Sequence, residues 1–251
     1  MSKVGSAVWA ALPPLLMLAA LLAVWQLYVE ASGISAVTLP SPARIVEGLW
    51  RGRDVISHHA WVTLRETLYG LGVALVLGIA LALLIDAFLP VRRAVYPLIV
   101  GSQTIPIVVI APLLVLWFGF DLTPKIIVVT LYTFFPITVA LAQGLAATDH
   151  EALLLMQTLG ADRLQTLRLL KLPQALPYLF TGLKITVTYA MVGAVFAEWN
   201  GATEGLGLYV ILMKNSFRTD MVFAAVVVIA VLSLGLFVLV GLLEKLIVRW
   251  K

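Results

Sequence analysis

Cysteine is absent from the 251 residues, which excludes a disulfide framework, a thiolate metal site and a cysteine nucleophile. Charge is scarce as well: 12% of residues are charged against 62% hydrophobic, and the mean hydropathy is +1.05. A soluble domain keeps roughly a quarter of its residues charged, so the chain is expected to be a polytopic membrane protein. The net charge of +4 is spread without a basic stripe, so nothing points to nucleic acid. There is no G-x-x-x-x-G-K-[ST] phosphate loop, and not even a Gly-Lys pair, so this chain cannot hydrolyse ATP through such a loop. There is no HExxH either. His58 and His59 fall on different faces of any helix, so no metal pair, and no catalytic or cofactor site, is expected.

What is abundant is long apolar runs. A span needs about 20 residues, and six candidates emerge: Val8–Tyr28, Thr67–Ile85, Ala94–Phe118, Ile126–Ala146, Pro177–Ala197 and Met221–Leu243. The expected architecture is all-α, with a first helix and loop over residues 1–66 and a five-helix core over 67–251. Lys3 and the run after it loosely resemble a signal peptide. The run exceeds the usual apolar core of about 7–15 residues, so a retained first span is expected.

Orientation follows from Lys and Arg in the connections. With the N-terminus inside, ten basic residues fall on the cytoplasmic side and seven on the outer side, the latter beside eight acids. The pair Arg92–Arg93 and the basic C-terminus carry the assignment of both termini to the cytoplasm. No ionisable group then lies at the centre of a span. Lys184 is expected to snorkel to the interface.

Within the spans, Gly70, Ala74, Gly78 and Ala82 recur every four residues, a stripe that lets another helix approach closely. The third span carries Pro97, Pro106 and Pro112, with Gln103 and Thr104 between them. Prolines free backbone carbonyls that a neighbour or a water-lined path must satisfy. Gln103, Thr104 and Pro106 are therefore candidate path residues, with Tyr189, Glu198 and Trp199 near the end of the fifth span. Ala43–Trp50 reads as a short interfacial helix after the punctuation of Pro40 and Pro42. Residues Glu198 to Gly207, rich in glycine, read as a turn at the outer mouth.

The most informative stretch is a charged island at residues 149–173 between two spans. A first short helix over Glu151–Leu159 meets the break at Gly160. Asp162 can cap a second helix, Arg163–Leu170, where Leu164, Leu167 and Leu170 recur at helical spacing. Pro173 and Pro177 are expected to end the island and start the fifth span. Alone, such a segment could also lie flat on lipid.

The order Gly160, nine residues, Leu170, one residue, Leu172-Pro173 resembles the cytoplasmic loop in permease subunits of bacterial ABC importers. LPSPARIV, IPIVVIAPLLVLWFGF, FFPI, LPQALPYLFTGLKI and AEWNGATEGLG resemble the nitrate/sulfonate/taurine branch, so the likeness covers nearly the whole chain. The last two lean towards transporters of thiamine-precursor pyrimidines, with riboflavin systems close behind. The likeness implies a bacterial inner-membrane importer permease whose loop docks on two ATPase subunits through Met156, Leu159, Gly160, Ala161, Arg163, Leu170, Leu172 and Pro173. ATP and Mg would sit on those partners, a second permease copy or relative would complete the path, and a binding protein would deliver the solute. One departure stands: where the family carries Glu-Ala-Ala, this chain has Leu154, Leu155 and Met156, which removes one acidic contact with the ATPase.

The rival reading is an ion-coupled carrier, which would want buried carboxylates and an internal repeat; the sequence displays neither.

Overall fold

The computed structural model describes the backbone of residues 3–249 and the side chains of 12–249. The elements run α1 (Lys3–Ser32), α2 (Pro42–Arg51), α3 (Arg53–Ala87), α4 (Leu89–Ser102), α5 (Ile107–Phe118), α6 (Leu122–Ala146), α7 (His150–Thr158), α8 (Arg163–Thr166), a π turn (Leu167–Lys171), α9 (Leu172–Glu198), α10 (Leu206–Asn215) and α11 (Thr219–Ile247). No strand occurs among the described residues. Part of the first expected span, Val8 to Ala11, lies outside the described side chains.

Five helices are long and apolar enough to cross a bilayer, and a sixth crossing exists if α4 and α5 together make one. They do not form the continuous span expected over 94–118. The two helices meet at 95° across a short break. Pro106 contributes to the break: it cannot donate into the preceding turn and it pushes Ile105 out of helical geometry. Pro97 and Pro112 stay inside their helices. At 1.5 Å per residue, α4 and α5 reach only about 21 and 18 Å, so neither spans about 30 Å alone.

The chain divides into two compact units. One holds Met1–Ser57 and Tyr209–Val228. In it Ser41 caps α2 with Pro42 in the first turn, Gln26 Oε1 accepts the Ala43 N–H at 3.1 Å, and Arg53 stacks 4.7 Å over the exposed Trp50 ring. Thr219 donates to the Val37 carbonyl.

The other unit holds His58–Leu208 and Ile229–Lys251. Its centre is α6 packed between α3 and α9, the two pairings set by small residues. On α3, Gly70 faces Val129 and Gly78 faces Ile137, an offset of 59 residues, so α3 and α6 run parallel. A Cβ at Gly78 would lie 2.8 Å from Ile137 Cγ2. Ala74 and Ala82 complete the stripe, buried beside Phe134 and Leu141. Thr130 Oγ1 seals it, donating to the Gly70 carbonyl at 3.2 Å. Between α6 and α9 the partners are Gly144 with Tyr178, Gly182 with Ala140, and Gly193 with Tyr132, so these two run antiparallel. Phe180, Val187 and Met191 of α9 then meet Leu236 and Val240 of α11.

Pro173 and Pro177 do not end the island: α8 passes through the π turn into α9, with Leu172 N–H reaching back to the Leu167 carbonyl. The wider turn leaves room for Pro173 in the first turn of α9, where its missing N–H costs little. Lys184, expected to snorkel, pairs its ammonium with Glu244 near the end of α11.

Candidate functional site

The island is built around one glycine. Asp149 Oδ1 accepts the Ala152 N–H at 2.8 Å and starts α7. At the other end Gly160 takes φ +75, a left-handed conformation that glycine adopts without steric cost. Its N–H reaches the Gln157 carbonyl, and that of Ala161 reaches the Met156 carbonyl, both at 3.0 Å. This is the paired closure of a Schellman turn. Asp162 and Gln165 then exchange side chain-to-backbone hydrogen bonds, 2.7 and 2.9 Å, in a capping box. The chain therefore reverses at a single residue, with both flanking helix ends satisfied. A Cβ at Gly160 would meet nothing within 4 Å, so the constraint is conformational rather than steric.

The island's surface is open. No residue of α7, α8 or the π turn is buried, and Leu154, Leu155, Leu159, Leu164 and Leu169 are exposed. Arg163 is exposed too, while Met156, Ala161, Leu170, Leu172 and Pro173 are half-buried. One tie fixes the island to the bundle: Lys171 donates to both oxygens of Asp86 on α3, at 2.6 and 2.7 Å. Beside that pair, a cleft of about 560 Å³ opens between α3, α4 and α6, with Arg92, Arg93, Tyr96 and Gln143 in its walls.

At the break, Gln103 and Thr104 sit in irregular backbone and are exposed. Gln103 Nε2 approaches Ser102 Oγ at 3.4 Å, and Thr104 Oγ1 donates to the Gly101 carbonyl at 2.8 Å. Pro106 caps α5. Tyr189 lies elsewhere, on the exposed face of α9, at a shallow recess with Lys184 and Phe237. Trp199 is exposed and meets Phe196 edge to face at 4.9 Å.

Glu198, expected beside them on the path, is buried in the single chain. Only 1% of it is exposed. Thr63 Oγ1 lies 2.6 Å from its Oε1, and its Oε2 accepts the Gly207 N–H. Three successive amides of the glycine turn are thus held by side chains: Gly205 N–H by His59 Nδ1 at 3.0 Å, Leu206 N–H by Thr63 Oγ1 at 2.8 Å, and Gly207 N–H by Glu198. Gly205, at φ +121, and Gly207 pack so closely on Glu198 that a Cβ at either would collide with it. Next to Glu198, Glu66 is also 1% exposed and accepts a 2.6 Å hydrogen bond from Lys125 of α6. The sequence displays no buried carboxylate, yet the fold makes two. The signal available was that Glu66, Lys125 and Glu198 all flank spans on the same side of the expected membrane. Among the described residues, no group of three His, Asp or Glu is arranged to hold a metal.

The chain is thus a bundle of apolar helices packed through small residues, with one broken helix pair and a capped, exposed loop. The family model for the inner-membrane component of binding-protein-dependent transport systems matches residues 74–249, and the chain belongs to this family. It is 38% identical to the formylaminopyrimidine transport permease protein ThiX of Halalkalibacterium halodurans, over 96% of each chain. It is 36% identical to the riboflavin transport system permease protein RibX of Chloroflexus aurantiacus, over 96% of this chain and 90% of that one. With the putative aliphatic sulfonates transport permease SsuC of Bacillus subtilis the identity is 30%, over 94% and 87%. The fold matches a chain of the inward-facing MetNI methionine ABC transporter with a TM-score of 0.62, covering 74% of this chain and 95% of that one at 18% identity. The chain is an ABC importer permease subunit, an inner-membrane protein with several membrane-crossing helices.

Proposed function

We propose that this chain forms half of the translocation path of an ATP-driven importer for a small organic solute, first a thiamine-precursor pyrimidine and next riboflavin or a sulfonate. Both termini are cytoplasmic, and the broken α4–α5 pair is the third of six crossings. A second copy or a related permease closes the path, since irregular backbone at membrane depth needs protein or water beside it. Gln103, Thr104 and Pro106 supply that lining, with Tyr189 and Trp199 further along. A solute-binding protein delivers from the outer side, and two ATPase subunits carrying ATP and Mg grip the island.

The observation that carries this reading is the island itself: a rigidly capped, exposed apolar loop, tied by Lys171–Asp86 to α3 and continuous with α9. A partner gripping the island through Met156, Leu159, Gly160, Ala161 and Arg163 moves two core helices at once. Leu170, Leu172 and Pro173 carry that movement through the π turn. The substrate ranking rests on the 38% identity with ThiX over nearly the full chain.

The test is uptake into proteoliposomes holding the permease with its ATPase and binding protein. ATP-dependent, saturable uptake of a formylaminopyrimidine, exceeding that of riboflavin and taurine, is the expected result. Uptake driven by an ion gradient without ATP would overturn the importer reading. ATP-dependent uptake of another solute would overturn the substrate assignment alone.

A further inference from the structure

The cluster at the start of α6 has a charge imbalance. Glu66 and Glu198 are both 1% exposed, and the cation buried with them, Lys125, is 9% exposed. Two carboxylates against one ammonium leave an extra negative charge in a site closed to water, an arrangement proteins avoid by neutralisation or pairing. Other charges do not supply the balance from within. Arg65, the neighbour of Glu66 in the chain, is exposed and acts on it electrostatically from outside the buried site, and in the turn Glu204 approaches His58 at 3.4 Å. His59 already serves as acceptor for the Gly205 amide through Nδ1.

The hydrogen bonds locate the deficit. Glu66 Oε1 takes the Lys125 ammonium, and both oxygens of Glu198 are engaged, by Thr63 and by Gly207. Glu66 Oε2 is buried with no hydrogen-bond partner, and Glu66 lies one turn along α3 from Thr63, which holds Glu198 at 2.6 Å, so the two buried carboxyl groups are neighbours. A buried polar atom of that kind requires an explanation. A hydrogen atom between the two carboxyl groups answers both anomalies: it gives Oε2 a partner and brings the cluster to neutrality.

We propose that Glu66 and Glu198 share one proton and, with Lys125, form a neutral buried lock that fixes the Gly201–Gly207 turn to α3, α6 and α9. Glu66 and Lys125 are positioning residues acting through Glu198, which holds the turn directly. Loss of the proton leaves two carboxylates facing each other beside one ammonium. Their repulsion loosens Glu198 from Thr63 and Gly207, and the turn is released. The lock is therefore closed while the single proton is held and opens as pH rises and removes it.

The experiment uses the purified full-length chain in detergent, without ATPase or binding protein, and does not depend on the transport reading. Infrared spectra report the C=O stretch of protonated carboxyl groups, and hydrogen exchange reports protection of residues 201–208 after correction for intrinsic rates. The wild type is expected to show a protonated-carboxyl band at neutral pH that disappears in Glu66→Gln and also in Glu198→Gln, since either change leaves one carboxylate for one ammonium. Turn protection should fall about tenfold with rising pH in the wild type, about one hydrogen bond's worth. It should stay flat with pH in both Gln variants, which keep the shape and the acceptor oxygen. Glu198→Ala should lose protection at every pH; if it fails to fold, the two Gln variants still decide. A wild type with no such band, or with protection independent of pH, would overturn the proposal. So would protection that follows sodium concentration at fixed pH, which would place a metal cation where the proton is assigned.

Discussion

Lys125 on α6 donates a 2.6 Å hydrogen bond to Glu66 on α3, and both are buried where the two helices begin their parallel contact. The pair sits at the same 59-residue offset as Gly70–Val129 and Gly78–Ile137, so it stands at the head of the small-residue seam. Removing the ammonium strands buried carboxylates, a loss of about 3 kcal/mol. Lys125→Met should lower the thermal midpoint in detergent markedly, whereas Lys214→Met, at an exposed position, should not. Equal midpoints for the two variants would mean that the pair contributes nothing to the fold.

The seam below that pair makes a second prediction. Gly78→Ala drives a Cβ to 2.8 Å from Ile137 Cγ2, an overpacking cost of about 2 kcal/mol. Ile137→Ala alone leaves a cavity worth about 3 kcal/mol. Together the two changes relieve each other, so the double variant should be more stable than the sum by about 1 kcal/mol. Unfolding midpoints of the four proteins measure this coupling, and strict additivity would separate the two positions.

Much of this was legible in the sequence because membrane helices declare themselves by length and hydropathy, and turn chemistry is local. The stripe from Gly70 to Ala82, the cap at Asp162 and the reversal at Gly160 each depend on residues within a few positions. The 95° break did not follow from Pro106 alone, since Pro97 and Pro112 sit inside helices; which proline breaks a helix depends on neighbours. The lock joins residues 59 to 135 positions apart, and only the helix register brings Glu66, Lys125 and Glu198 together. Lys184 illustrates the same limit: its partner Glu244 lies 60 residues away on α11, a pairing that no local pattern announces.

Gly160 separates conformation from space. Its surroundings are open but its φ is +75, so an L side chain there costs about 1 kcal/mol or more through the backbone. Asn tolerates this region and valine does not. In the assembled transporter, Gly160→Val should abolish ATP hydrolysis stimulated by the loaded binding protein while membrane insertion is unchanged. Gly160→Asn should retain it. If the valine variant remained coupled, the loop would not be the element the ATPase grips.

Gln103 tests the path. Its amide lies in exposed irregular backbone, and its contact with Ser102 Oγ, at 3.4 Å, is long, so the group is available to water or solute. A glutamine placed there only to support the fold would be engaged by its neighbours more tightly. Gln103→Leu keeps the volume and removes both donor and acceptor. Loss of one hydrogen bond along the path should slow uptake about fivefold, with ATPase association and the thermal midpoint unchanged. Gln103→Asn, which keeps the amide, should restore part of the rate. Unchanged uptake in the Leu variant would remove Gln103 from the path and leave the break as a structural joint between α4 and α5.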